Sequence, residues 1–218
     1  MTITVYLADD HTILRDGLKL LLQLQPDITI VGEAGDGRQA VRDVQKSQPD
    51  IVIMDVLMPE LNGIEATRQI TQTTPHSKII MLSANTDSEH VFRALQAGAT
   101  GYLLKASAGS EIVEAIKTVQ SGRRYLSHNL SDQLIDAYIS QREPSGDYGR
   151  LTLLSDREME VLQLVVEGHT SKVIADRLAL AHDTVITYRK RIMKKLDIHD
   201  IPSLVKFAIT HGITSLDT

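Results

Sequence analysis

Three carboxylates, a hydroxyl and an ammonium occur in this chain at one kind of position. Asp9 and Asp10 follow the apolar run ITVYLA, Asp55 follows IVIM, Ser83 follows IIML and Lys105 follows GYLL. Taken singly, each has an ordinary explanation: an aspartate after an apolar run caps a turn or helix, and a lysine there is solvated. Taken together they place polar chemistry at the ends of four separate runs. In an open parallel sheet, ligands bind just beyond the carboxyl ends of the strands, near the topological switch point. Carboxylates crowded there repel, and their pKa values rise unless a cation sits among them. Oxygen donors suit Mg²⁺, which keeps several waters and favours phosphate partners. Lys105 is a point charge suited to a phosphoryl oxygen, and Ser83 can donate one more hydrogen bond. A carboxylate nucleophile, a divalent metal, a hydroxyl and an ammonium together describe phosphoryl transfer onto an aspartate. On this reading Asp55 stands unburied at the mouth of the core, held by the apolar strand behind it.

The elements that must position these groups are legible as alternating periods. Strands are expected at Ile3–Ala8, Ile28–Ala34, Ile51–Met54, Lys78–Leu82 and Gly101–Leu104, with helical patterns between them. IVIM and IIML do not alternate in polarity. Strands apolar on both faces belong to a parallel sheet covered by helices on each side. Five such units predict a doubly wound α/β domain with a five-stranded parallel sheet in the order 2-1-3-4-5. After Gly122 the pattern changes. Asn129–Gln141 has helical spacing, and Arg142–Arg150 (REPSGDYGR) reads as a linker. From Leu151 the signals are those of a small all-α domain of four helices. Ser155 and Glu158 form a capping box, Gly168 ends that helix, and Thr170 or Ser171 opens a short one to Leu178. Asp183 caps a longer helix to Leu196, and Pro202 starts a last one that Gly212 stops. The expected organisation is 1–122, a linker at 123–150 with a helix in it, and 151–218.

The 218 residues carry a net charge of −5 and no cysteine, which removes disulfides and cysteine-based zinc sites. The eight histidines show no metal-ligand spacing, and His11 and His182 read as near-site polar residues. MTITVYLADD lacks a basic n-region, and no apolar run is long enough for a bilayer, so a soluble cytoplasmic protein without a membrane partner is expected. The overall charge argues against general nucleic-acid affinity, but its distribution does not. Thr184–Leu196, TVITYRKRIMKKL, contains Arg189, Lys190, Arg191, Lys194 and Lys195 and no acid.

LADDH, IVIMDVLMPELNG, MLSA and GYLLK, in this order and spacing, make residues 1–122 resemble the receiver domain of two-component response regulators. The resemblance implies a flavodoxin-like fold in which Asp55 accepts a phosphoryl group from a histidine kinase. Asp9, Asp10 and Asp55 would hold Mg²⁺ with the backbone carbonyl of Leu57. Ser83 and Lys105 would bind the phosphoryl group, and Tyr102 takes the place of the switch aromatic, which turns inward as the Ser83 loop closes. Many receivers have a cis proline after this lysine; here Ala106 follows, and a trans bond is expected. LSDREMEVLQLVVEGHTSKVIADRLALAHDTVITYRKRIMKKL resembles the LuxR-type helix-turn-helix. The two halves together are similar to a response regulator of the NarL/FixJ type, a transcription factor.

In such a motif the second helix enters the major groove of double-stranded DNA. Val185, Ile192 and Leu196 share the face that packs inward, which leaves Ile186, Thr187 and Lys190 for base edges. Thr184, Arg189, Arg191, Lys194 and Lys195, with Thr170, Ser171 and Lys172 at the start of the preceding helix, are the other expected DNA contacts, mainly to phosphates. Many relatives have lysine in place of Ile186, so the target sequence is expected to differ from theirs. The last helix supplies a dimer contact in this family, here Leu204, Val205 and Ala208, and a homodimer would match two promoter half-sites. The expected function is a phosphorylation-dependent transcription regulator and not an enzyme. One alternative is a constitutive DNA-binding regulator with a silent receiver. Another, a metal-dependent phosphatase using Asp55, lacks the second aspartate two residues on, where Leu57 stands.

Overall fold

The computed structural model describes residues 2–84, 88–128, 130, 148–151 and 153–214. The chain divides into two compact units, Met1–Ser140 and Gln141–Thr218.

The first unit alternates strand and helix: β1 (Ile3–Ala8), α1 (Thr12–Gln23), β2 (Ile28–Ala34), α2 (Gly37–Ser47), β3 (Ile51–Asp55), α3 (Gly63–Thr73), β4 (Lys78–Ser83), α4 (Ser88–Gln96), β5 (Gly101–Leu104), α5 (Ala108–Gln120) and β6 (Tyr125–Leu126). A 3₁₀ turn, Lys105–Ser107, joins β5 to α5. The strands are parallel in the order β2-β1-β3-β4-β5-β6. The expected order holds for the first five. A sixth strand, two residues long, is added at the β5 edge, where Tyr125 and Leu126 pair with Gly101 and Tyr102.

The non-alternating strands are explained by burial on both faces. Val52 and Met54 of β3 and Ile79 and Met81 of β4 belong to one apolar cluster. Ile51, Ile53, Ile80 and Leu82, the residues between them, belong to the cluster on the other side. Helix starts are set by side chains: Asp36 accepts from the Gln39 amide at 2.7 Å and Asn62 from the Glu65 amide at 2.9 Å. Gly63 is required where α3 leaves the β3 turn, because a Cβ there would lie 1.8 Å from the Asp55 carbonyl oxygen. No peptide bond among the described residues is cis, so Lys105–Ala106 is trans as expected.

The second unit is helical: α6 (Tyr148–Leu151), α7 (Asp156–Val166), α8 (Ser171–Leu178), α9 (His182–Leu196) and α10 (Ile201–Thr210). The Ser155–Glu158 capping box is formed, and Thr170 caps α8. Leu162, Val165, Ile174, Leu178, Val185, Ile192 and Leu196 lie in its core. One expectation is corrected here. Asp183 does not cap α9: the cap position is Ala181, without a side-chain bond, and Asp183 lies in the first turn, where its charge suits the helix dipole. At the end of the stretch read as linker, Tyr148–Leu151 forms a helical turn, and Arg150 Nη1 donates to the Leu196 carbonyl at 3.2 Å. The helix expected over 129–141 lies, apart from the buried Leu130, outside the described residues. No helix among the described residues is long and apolar enough to cross a membrane.

Candidate phosphoryl-acceptor site and nucleic-acid interface

Strand register brings the acidic residues together. Ala8 of β1 pairs with Met54 of β3, so Asp9 and Asp55 leave the sheet side by side. Asp55 pairs with Leu82, and Ser83 with Leu104, so Ser83 and Lys105 stand at the ends of the next two strands. Lys105 Nζ lies 2.7 Å from Asp55 Oδ2 and 3.0 Å from Asp9 Oδ2. The bond to Asp55 has hydrogen-bond geometry; the approach to Asp9 Oδ2 is an ion pair without it. Asp10 is the most exposed of the three aspartates, and its Oδ1 lies 2.7 Å from His11 Nδ1. One donor atom each from Asp9, Asp10, His11 and Asp55 falls within a 4.8 Å span. The Leu57 amide donates to Asp55 Oδ1 at 3.4 Å, which closes the turn after β3. Ser83 and Tyr102 are buried, and Leu57 is half-buried.

Asp55 is itself buried, at 2% exposure, and this corrects the expectation of an unburied carboxyl. The Lys105 side chain folds over it, a contact between residues 50 positions apart. Burial pushes the Asp55 carboxyl up to about 7, the neighbouring Asp9 charge adds to this, and Lys105 opposes it. Burial alone would lower the Lys105 ammonium. The Asp55 and Asp9 carboxylates outweigh it and hold Lys105 above the ordinary lysine range. The donor set fits a hard divalent cation: three carboxylates converge, and the ammonium already among them marks where positive charge is accepted.

In the helical unit, α9 exposes Thr187, Lys190, Arg191, Lys194 and Lys195, while Thr184, Ile186 and Arg189 are half-buried. Thr170 and Lys172 at the start of α8 are exposed, and Ser171 accepts from Arg189 Nη1 at 3.0 Å. Two groups of expected contacts have partners within the unit. Lys195 Nζ lies 2.6 Å from Glu158 Oε2 and donates to the Leu153 carbonyl at 2.8 Å. Its charge is engaged within the unit by a buried carboxylate that needs a partner. Leu204 and Ala208, expected at a dimer contact, are 2% and 0% exposed and belong to the core; Val205 is half-buried. A short helix must spend its most regular apolar positions on its own domain.

Residues 5–117 match the response regulator receiver domain, and residues 152–208 match the bacterial regulatory proteins of the luxR family. Over 216 residues the chain is 38% identical to the response regulator UvrY of Escherichia coli K12, covering 99% of this chain and 98% of that one. This chain is a two-component response regulator. Among solved structures, the RcsB response regulator of Salmonella typhimurium matches with a TM-score of 0.65 and 26% identity, over 96% of this chain and 98% of that one. An RcsB–DNA complex matches with a TM-score of 0.60 and 26% identity, over 97% and 99%. The clustered Asp9, Asp10, His11 and Asp55 site is typical of phosphoaccepting response regulators linked to a DNA-binding helix-turn-helix. This response regulator is thereby a regulator and not an enzyme in the ordinary sense.

At the response-regulator pocket, His11 is read from the sequence only as a near-site polar residue, and Arg15 is not read at all. His11 belongs to the donor cluster, and LADDH carries it in plain view next to Asp10. Arg15 Nη1 donates to the Asp9 carbonyl at 2.5 Å, and its Nε lies 3.3 Å from Glu33 Oε2. Arg15 is one turn into α1, with no sequence signal that sets it apart from a solvated arginine.

Proposed function

We propose that Asp55 accepts a phosphoryl group from a histidine kinase and that this controls sequence-specific binding of the C-terminal unit to promoter DNA. Residues 1–122 act as the receiver, 123–150 as the connection and 151–218 as the DNA-binding part, in the cytoplasm. The observation that carries the reading is the Lys105 ammonium spanning the Asp55 and Asp9 carboxylates at the sheet's rim.

The ionised Asp55 carboxylate attacks phosphorus, the P–N bond to the donor imidazole breaks, and an acyl phosphate forms. The imidazole leaves with the electron pair of that bond and takes up a proton. Burial works against ionisation of Asp55, and Lys105 works for it. Asp9, Asp10 and Asp55, with the Leu57 carbonyl, would hold Mg²⁺, which neutralises charge on the transferring group when bound. Lys105 and the Ser83 hydroxyl then meet phosphoryl oxygens. Tyr102 is fully buried here, and phosphorylation favours the conformer with this ring inward, a shift in an existing equilibrium.

On the DNA side, Lys190, Thr187 and Ile186 near the start of α9 read base edges. Thr184, Arg189, Arg191, Lys194, Thr170, Ser171 and Lys172 serve the phosphates. The match to the RcsB–DNA complex over nearly the whole chain supports double-stranded DNA as the target, and a homodimer fits two half-sites. The test is to load the protein with beryllofluoride and Mg²⁺ and follow DNA binding and molecular mass. A gain in either is expected, and constancy of both contradicts the reading.

A further inference from the structure

His11 is placed at the pocket by its backbone. It precedes α1, and its amide donates to Asp9 Oδ1 at 2.7 Å. This holds the imidazole over the acidic pair. Its Nδ1 lies 2.7 Å from Asp10 Oδ1 and 3.3 Å from Asp9 Oδ1. In an octahedral site with bonds of about 2.1 Å, neighbouring donor atoms are roughly 3.0 Å apart. The two edges from Nδ1 bracket that value. Asp9 Oδ1 and Asp10 Oδ1 thus each stand from His11 Nδ1 at about the spacing of neighbouring donors in such a site, and all three lie within the 4.8 Å cluster.

A positive charge in the pocket points the same way. Lys105 Nζ contacts Asp55 at 2.7 Å and Asp9 at 3.0 Å, and lies 3.5 Å from His11 Nδ1. The position that already accepts a cation thus has the imidazole nitrogen on its border. The His11 side chain is 67% exposed, so water or an entering ion can reach the imidazole.

We propose that His11 Nδ1 is a further metal ligand of this pocket, and that it makes the pocket take first-row transition dications such as Co²⁺ in preference to Mg²⁺. An all-oxygen set gives Mg²⁺ what it requires. One imidazole adds little for Mg²⁺ and much for Co²⁺, whose affinity for nitrogen donors is higher. The same pocket would then respond to two kinds of ion, with His11 setting the preference. The proposal rests on the reading of Asp9 and Asp10 as metal ligands.

The experiment is calorimetric titration of the full chain with Co²⁺ and separately with Mg²⁺, in wild type, His11→Ala and Asp10→Asn. Proton NMR of the histidine rings in Co²⁺ accompanies it, with His11 assigned by its loss in His11→Ala. Wild type is expected to bind Co²⁺ at least about tenfold more tightly than Mg²⁺. His11→Ala should lose most of that preference while Mg²⁺ affinity stays near wild type. Asp10→Asn should weaken both ions, which separates this pocket from Co²⁺ bound at other surface histidines. Hyperfine shifts should appear on the His11 ring. Equal losses for both ions in His11→Ala, or an unshifted His11 ring, would overturn the proposal. Phosphorylation of wild type in Mg²⁺ is scored separately by mass. Its failure would count against the function proposed above and not against the nitrogen ligand.

Discussion

Lys105 Nζ and Asp55 Oδ2 lie 2.7 Å apart at the rim of the sheet, and the pair is closed off from solvent on the carboxyl side. Removing the cation leaves two buried carboxylates, Asp9 and Asp55, facing each other. Lys105→Met is expected to cost on the order of 3 kcal/mol of stability at pH 8, the range seen when one partner of a buried pair is removed. The loss should shrink at pH 5, where Asp55 holds a proton. Urea denaturation at the two pH values checks this.

Asp55→Asn acts in the opposite sense. The Asp55 carboxyl is raised from 3.8 to about 7 in the folded chain. Between these values the unfolded chain has released the proton and the folded chain retains it. Folding of the wild type therefore becomes less favourable, relative to Asp55→Asn, as pH rises from about 4 to about 7, and the difference is flat above that. Thermal melts in metal-free buffer should show Asp55→Asn gaining on wild type through this window. A constant difference would contradict the raised value.

Gly63→Ala tests how the strand end is held. The added Cβ would meet the Asp55 carbonyl oxygen at 1.8 Å, and backbone on both sides resists movement. A loss of about 3 kcal/mol is expected, with slower phosphorylation of the fraction that folds. Denaturation midpoints and phosphorylation rates measured on the same samples report the two effects.

The basic residues of α9 should separate into two groups. Lys194→Ala is expected to lower the salt dependence of DNA binding by about 0.9 in the log–log slope, one phosphate contact, with little change in stability. Lys195→Ala should leave the slope nearly unchanged and cost about 1 kcal/mol of stability, because it removes the partner of Glu158. Equal slope changes for the two variants would show that Lys195 leaves Glu158 to reach DNA.

The strands of the first unit were legible because β3 and β4 are buried on both faces and their sequences show it as unbroken apolar runs. Asp9, Asp55, Ser83 and Lys105 could be placed because each follows such a run. β6 was not legible: two residues, Tyr125 and Leu126, make no period and owe their conformation to the β5 edge. The burial of Asp55 was missed because it depends on where a flexible lysine 50 positions away folds. The same holds for Lys195, whose charge is plain in the sequence while its partner Glu158 lies 37 positions earlier. Leu204 and Ala208 lie on an apolar helix side from which some residues must close the small core, and packing within the unit shows that these two do.

The most direct test of the account is to incubate the full chain with a small-molecule phosphodonor and Mg²⁺ and to map the product by mass spectrometry. One added phosphoryl group is expected, on Asp55, absent from Asp55→Asn and lost in base. A wild-type chain that gains no phosphoryl group, or carries it on another residue with Asp55 unmodified, would contradict the account.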